Sequence, residues 1–92
     1  MRFEWDIEKA QTNLKKHRVA FSEAESVFGD PLSKILVDEL YSGEEKREWI
    51  IGHSSRNRLL VVSFTEREND TVRIISTRLA TLRERQDYEK ER

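Results

Sequence analysis

Two runs rich in β-branched and aliphatic residues, Arg58 to Arg67 and Val72 to Leu79, stand on either side of the dipeptide Asn69-Asp70. Residues of this kind favour strands, and Asn-Asp tolerates the left-handed backbone of a tight turn. The pair therefore reads as a β-hairpin around which the rest of the chain has to be built. A tight turn pairing Glu68 with Thr71 sets the register. One face of the hairpin then carries Leu60, Val62, Phe64, Ile75 and Leu79, with Glu66 opposite Arg73 at the turn end. The other carries Ser63 opposite Ser76, Val61 opposite Arg78, and Thr65 and Arg67 toward the turn. The first face needs cover, and the second is polar and bears arginines.

The flanking segments supply that cover. Phe3-Glu4-Trp5-Asp6 alternates as a short edge strand does, and Asp6 is placed to cap a helix with apolar positions Ile7, Ala10 and Leu14, ending near His17. Ser22 and Glu25 have capping-box spacing for a second helix carrying Ala24, Val27 and Phe28, stopped by Gly29-Asp30-Pro31. Ile35-Leu36-Val37 and Trp49-Ile50-Ile51, separated by Ser42-Gly43-Glu44-Glu45, read as a second hairpin or meander. Thr81 and Glu84 form another capping box, opening a charged helix whose inward contacts are Leu82 and Tyr88. Early helices, then strands, then one helix predict an α+β fold, an antiparallel sheet with two N-terminal helices and a C-terminal helix packed on one face and the other face partly open. A chain of 92 residues has room for one hydrophobic core, so residues 1–92 are expected to form a single domain, with Trp5 and Trp49 inside it.

Composition limits the chemistry. There is no cysteine, and His17 and His53 are far apart, so neither disulfides, thiolate catalysis nor a local zinc motif is expected, and no cofactor is implied. No apolar stretch is long enough to cross a bilayer and the start lacks the apolar run of a signal peptide, so a cytoplasmic protein without membrane contact is expected. The net charge of −1 argues against a general nucleic-acid binder, but its distribution is uneven. Through Gly52 there are eight Lys and Arg against eleven Asp and Glu; from His53 onward there are nine against seven. The later cations are Arg56, Arg58, Arg67, Arg73, Arg78, Arg83, Arg85 and Arg92, with Lys90 the only lysine. Arginine's planar fork binds phosphate in bidentate fashion, so this bias fits an anion site; a salt-bridged surface fits it equally.

A groove with hydroxyls on its floor and guanidinium groups at its edges suits a phosphate backbone. Metal-free RNA cleavage uses the substrate's own 2′-hydroxyl, so the protein has to supply a base, a proton for the leaving oxygen and cations for the phosphorane. Glu66, beside Arg67, is a candidate general base, or else a cross-strand partner of Arg73. Arg78 breaks an apolar strand and needs an anionic partner wherever it is buried. His17 sits at a helix end, where it serves as a general acid or as a complement to the helix dipole. Arg83 and Arg85 open the last helix, compatible with an anion held at its N-terminus or with pairing to Glu84 and Glu89. The catalytic candidates are thus Glu66, Arg67, Arg78 and His17, and the RNA-binding candidates Arg58, Arg73, Arg83 and Arg85, with Arg67 and Arg78 expected to share one cleft. A module that only binds RNA or a protein partner through these arginines is the alternative.

Beyond these patterns, the strings Phe3-Glu4-Trp5-Asp6, Asn13-Leu14-Lys15-Lys16-His17, Val27-Phe28-Gly29-Asp30-Pro31, Ile51-Gly52-His53-Ser54, Arg58-Leu59-Leu60-Val61-Val62, Thr65-Glu66-Arg67, Arg73-Ile74-Ile75-Ser76 and Glu84-Arg85-Gln86-Asp87-Tyr88-Glu89 resemble, in order and over nearly the whole chain, the BrnT family of type II toxins. The resemblance implies a RelE-like fold, ribonuclease activity and a cognate BrnA-type antitoxin with a ribbon-helix-helix module, through which alone operator DNA would be contacted. It makes Arg78 the leading functional position, followed by Glu66, Arg67 and Arg85. The chain departs from the family pattern at Arg18 and Asn57, where glycines are usual. A left-handed Arg18 would cost roughly 1 kcal/mol, and Asn57 tolerates that geometry.

Overall fold

The computed structural model describes residues 1–40, 43 and 45–90. Eight elements follow one another: β1 (Arg2–Glu4), α1 (Ile7–His17), α2 (Phe21–Val27), β2 (Lys34–Val37), β3 (Arg47–His53), β4 (Leu59–Arg67), β5 (Thr71–Leu79) and α3 (Leu82–Lys90). The strands form one sheet in the order β1-β5-β4-β3-β2, antiparallel except where β1 runs parallel to β5. The fold is the expected α+β, and the N-terminal segment is the expected edge strand, but its pairing is a correction to a wholly antiparallel sheet. Backbone bonding from Arg2 N–H to the Asp70 carbonyl (2.9 Å) and an ion pair between the N-terminal amine and Asp70 (3.0 Å) fasten it beside the β4–β5 turn. The predicted turn between β2 and β3 includes Ser42 and Glu44, which lie outside the described residues, as does Arg92.

Asn69 and Asp70 both adopt left-handed backbone (φ 62° and 55°), as a tight hairpin turn demands. The register differs near that turn. Ser63↔Ser76, Val61↔Arg78 and Leu60↔Leu79 pair as expected, whereas Arg67↔Thr71, Glu66↔Val72, Thr65↔Arg73 and Phe64↔Ile74 are displaced by one residue. A β-bulge leaves Ile75 as the extra residue between them. The physical cause lies in the apolar pattern of β5. Val72 and Ile74 alternate in one phase, and a regular strand would then turn Ser76 and Arg78 into the core. The bulge reverses the phase, so that Val72, Ile74 and Thr77 are buried while Arg73, Ser76 and Arg78 share the opposite face. Arg73 is consequently not opposite Glu66; it pairs with Glu4 of β1 (2.8 Å).

The core lies between the sheet and α1 and α2, built from Val19, Phe21, Ala24, Val27, Ile50, Leu60, Val62, Phe64, Val72 and Ile74. Phe28 bridges Phe3 and Phe64, with ring centroids 5.2 and 5.0 Å apart, and Trp5 meets Phe21 edge-on. Two helix details differ from the sequence reading. In α1, Asp6 caps as expected, accepting from Glu8 N–H (2.8 Å) and Lys9 N–H (3.1 Å), yet Ile7 is 71% and Leu14 49% exposed, and the buried residue is Asn13. In α2, the cap is Ala20 and Ser22 lies inside the helix. Burial of Val19 and Phe21 draws the helix start forward, and Glu23 in its first turn is committed elsewhere.

Asn13 explains the first difference. β1 covers only Thr71, Val72 and Arg73 of β5, and beyond them the Thr77 backbone would be an unpaired sheet edge. The Asn13 carboxamide accepts from Thr77 N–H (3.1 Å) and donates to the Thr77 carbonyl (2.9 Å) and the Val19 carbonyl (3.0 Å), standing in for a neighbouring strand. Glu23 serves α2 in a similar way. It accepts from Arg58 Nε (2.9 Å) and Nη2 and from the Ser54 hydroxyl (2.6 Å), tying the helix to the turn before β4. That turn contains Asn57 in the left-handed region, and Arg18 closes α1 in the same conformation. At Gly52 a Cβ would come within 2.9 Å of the Ser33 Cβ and 3.0 Å of Asp30, so only glycine lets the Asp30 carboxylate reach His53 N–H (2.7 Å).

Asn13→Ala leaves two buried backbone groups of Thr77 unsatisfied, and an apparent loss of about 2–4 kcal/mol in denaturant unfolding is expected. Glu23→Gln is expected to cost roughly 2–3 kcal/mol at neutral pH, because it leaves Arg58 without its anion. The hydrogen bond from Arg58 holds the Glu23 carboxyl below the usual carboxylate range. A depressed folded-state pKa means stability that is present above that range and lost as pH falls below it. Unfolding midpoints of wild type and Glu23→Gln should therefore converge on acidification below about pH 4.

Candidate active site on the outer face of the sheet

Strand pairing places alternate residues side by side across the face opposite the core. One rung runs Lys34, Ile51, Val61, Arg78 from β2 to β5; the next runs Leu36, Trp49, Ser63, Ser76; the next contains Arg47, Thr65, Arg73 and Glu4; the last contains Arg67, Thr71 and Arg2. Five arginines thus lie on one face. That face is not fully open, which corrects the expectation that all helices share one side. α3 lies across its β2–β4 end, where Glu84, Asp87 and Tyr88 line a cavity together with Lys34, Leu36, Trp49, Ile51 and Val61.

The anchorage of α3 is narrow. Tyr88 is its buried residue, with its hydroxyl donating to the Leu32 carbonyl (3.1 Å) and its ring 5.8 Å from that of His53. The expected capping box is present, Glu84 N–H to the Thr81 hydroxyl (3.1 Å) and Thr81 N–H to Glu84 (2.9 Å). The same carboxylate takes a bidentate pair from Arg78, at 2.7 and 2.9 Å. The hydrogen bonds from Arg78 and Thr81 hold the Glu84 carboxyl at a pKa of about 2 against burial, which opposes them. Leu82, expected to face inward, is 72% exposed.

The candidates from sequence are distributed over this surface. Arg67 lies at the turn end, paired with Glu45 (3.0 Å), in a depression that also includes Glu66, Arg2, Glu4 and Thr71. Arg78 lies six residues of β4 away, roughly 20 Å at strand rise, so the two share a face but not a cleft, and one phosphate cannot touch both. Glu66 extends from the opposite side of β4 to Arg67 and is not bridged to Arg73. His17, at the end of α1, lines a depression with Ser76, Ile75, Thr12 and Lys16 beside the β5 edge. Arg58 is held by Glu23, and Arg73 by Glu4. Arg83 and Arg85 are exposed on α3.

Two residues of this face were missed as site candidates. Trp49 was assigned to the core, yet it lies on the opposite side from the core cluster, half-buried beneath α3. Arg47 was not singled out. The alternation Arg47-x-Trp49-x-Ile51, paired against Thr65-x-Ser63-x-Val61, was the available signal. The strip from Trp49 through Ser63 and Ser76, flanked by Arg78 and reaching His17 at the sheet edge, combines an aromatic plane, hydroxyls, a guanidinium and an imidazole. Those groups suit a nucleotide and its phosphate. Among the described residues no group of three or more His, Cys, Asp or Glu is arranged to hold a metal ion, and no helix is long and apolar enough to cross a membrane.

No curated protein sequence matches the chain. Among solved structures, the crystal structure of the Brucella abortus ribonuclease toxin BrnT matches with a TM-score of 0.68 and 25% identity, covering 88% of this chain and 97% of that one. The family model described as the ribonuclease toxin BrnT of type II toxin-antitoxin systems matches residues 5–84. With most of its length accounted for in this way and its five-stranded sheet and three helices in agreement, the chain belongs to the BrnT family of type II toxin-antitoxin toxins.

Proposed function

We propose that the chain is a metal-independent endoribonuclease, RelE-like in fold, that cuts RNA to leave a 2′,3′-cyclic phosphate, inhibits translation and growth, and is neutralised in the cytoplasm by a BrnA-type ribbon-helix-helix antitoxin that alone contacts operator DNA. The observation that carries the proposal is Arg78, a partly exposed guanidinium on the outer face beside Ser76, held in a fixed bidentate orientation. A guanidinium so placed, once a phosphate displaces Glu84 or meets its remaining N–H groups, stabilises the charge that develops on a phosphorane.

Proton transfer is assigned to His17. Glu84, with a pKa of about 2, is too weak a base to activate a 2′-hydroxyl and acts as the anion that orients Arg78. Glu66 lies at the far end of the sheet on the opposite side of β4 from Arg67 and takes no part in proton transfer, while Arg67 belongs to the path of the flanking RNA. His17 shares a depression with Ser76, two residues along β5 from Arg78, where its imidazole is placed to take the proton of the 2′-hydroxyl and to return one to the departing 5′-oxygen. Arg73, Arg83 and Arg85 supply further phosphate contacts, whereas Arg58 serves the fold through Glu23.

One observation favours a second reading. Arg58, Arg67, Arg73 and Arg78 each face a carboxylate, as in a surface whose arginines only dock RNA or an acidic antitoxin segment. Incubation of single-stranded RNA with the purified protein in EDTA separates the two, since a docking module leaves the strands intact. For the enzyme, fragments ending in cyclic phosphate are expected. Arg78→Ala should lower cleavage by about 10²–10³-fold, and undiminished cleavage by this variant would refute the assignment. His17→Ala should lower it by about 10²–10⁴-fold while leaving RNA binding in place. Arg67→Ala should weaken RNA binding and flatten its salt dependence by about one charge without abolishing cleavage.

A further inference from the structure

The cavity beneath α3 has a volume of about 220 Å³, and of its lining only Glu84 takes part in the phosphate chemistry, through Arg78. Its walls are apolar for the most part. Trp49, Leu36 and Ile51 come from the sheet and the Tyr88 ring from the helix. Such a slot takes a flat, stackable group. Its polar groups are few and mostly committed, the Tyr88 hydroxyl to the Leu32 carbonyl, Glu84 to Arg78 and Thr81, and Lys34, which lines the cavity from β2, to a partner of its own. Asp87 differs. It lines the cavity from α3, is exposed, and makes no hydrogen bond or ion pair among the described residues.

An ionised carboxylate only accepts hydrogen bonds, through two oxygens side by side. A base that fits Asp87 must therefore present two adjacent donors. Uracil offers one N–H between two carbonyls, and adenine and cytosine each place a ring-nitrogen acceptor beside their amino group, so all three turn an acceptor toward the carboxylate. Guanine alone sets N1–H beside the N2 amine. The position also suits a nucleotide. Val61, in the cavity wall, is the direct cross-strand partner of Arg78, and Trp49 lies two strands from β5, roughly 10 Å across the sheet. A base against Trp49 then leaves its phosphate directed toward Arg78. We infer that the cavity between β3 and α3 is a guanine subsite of the RNA groove, with Trp49 supplying the stacking plane and Asp87 reading the Watson–Crick edge. The inference rests on the ribonuclease reading for its biological role, but base recognition there is measurable without cleavage.

The test is calorimetric titration of the full chain with 3′-GMP, 3′-IMP, 3′-AMP, 3′-CMP and 3′-UMP. 3′-GMP should bind about tenfold or more tightly than each of the others, including 3′-IMP, which differs only by the missing N2 amine. Asp87→Asn, which turns one acceptor into a donor, should remove that preference. Asp87→Glu should keep it at lower affinity, and Trp49→Phe should weaken all five nucleotides together. Equal affinity for the nucleotides, no binding of any of them, or an Asp87→Asn variant that still prefers 3′-GMP would overturn the inference. In parallel, wild-type protein is incubated with single-stranded oligoribonucleotides containing one guanine at different positions, and cuts should track the guanine. If no oligonucleotide is cut while 3′-GMP is still selected, the ribonuclease reading fails and the subsite stands. If cutting occurs without regard to guanine, the subsite fails and the ribonuclease reading stands.

Discussion

Strand β5 is supported along its outer edge only at its start, where β1 pairs with it, and its later residues depend on a side chain for what a strand would otherwise supply. The Asn13 carboxamide gives Thr77 both a donor and an acceptor and also holds the Val19 carbonyl. This places α1 against the sheet and fixes the start of α2, since Val19 and Phe21 enter the core directly after it. It also holds the stretch of β5 that follows the bulge. Without the bulge Arg78 would point into an apolar core, where an unpaired guanidinium is strongly disfavoured. The polar face of the sheet therefore follows from how the edge of one strand is satisfied.

Paired charge gives that face its character. Among the described residues, five arginines of the second half of the chain meet carboxylates, Arg56 and Arg58 sharing Glu23 of α2 and the others meeting carboxylates of β1, α3 and the segment before β3. Such pairs differ in what they do. Glu23 is almost wholly buried and its bond to Arg58 joins α2 to the β3–β4 turn, so its removal is structural. The pair of Arg67 with Glu45 is exposed and contributes little to stability. Arg78 and Glu84 lie between these limits and join the functional face to a helix that has little other anchorage. A phosphate arriving at Arg78 competes with a carboxylate already there, which links occupation of the site to the position of α3.

Much of the fold was legible because local patterns were strong. The hairpin turn at Asn69-Asp70, the Asp6 and Thr81 caps and the β2–β3 pairing were all readable from residue type and spacing. The errors share a cause. Ile7, Leu14 and Leu82 were placed inward because they are apolar, but a small protein has too little interior to take every apolar residue, and a carboxamide with backbone partners won the position on α1. Trp49 was assigned to the core for the same reason. The register near the turn was misread because a single bulge residue, Ile75, carries no signature beyond the change of phase in the apolar pattern around it.

The linear order of residues was enough to establish the strands, the caps at Asp6 and Thr81, the arginine bias and the family likeness, because each of these depends on neighbours within a few positions or on whole-chain composition. Which arginines meet which carboxylates was decided only by the tertiary structure, because Arg78 and Glu84, Arg58 and Glu23, and Arg73 and Glu4 come together through pairing of separate elements. The separation of Arg67 from Arg78, by contrast, was already contained in the expected pairing of Val61 with Arg78, because distance along a strand accumulates at a fixed rise per residue. The tertiary structure decided what lies over that distance, since only the packing of α3 shows that the Arg78 end of the face is covered and the Arg67 end is not.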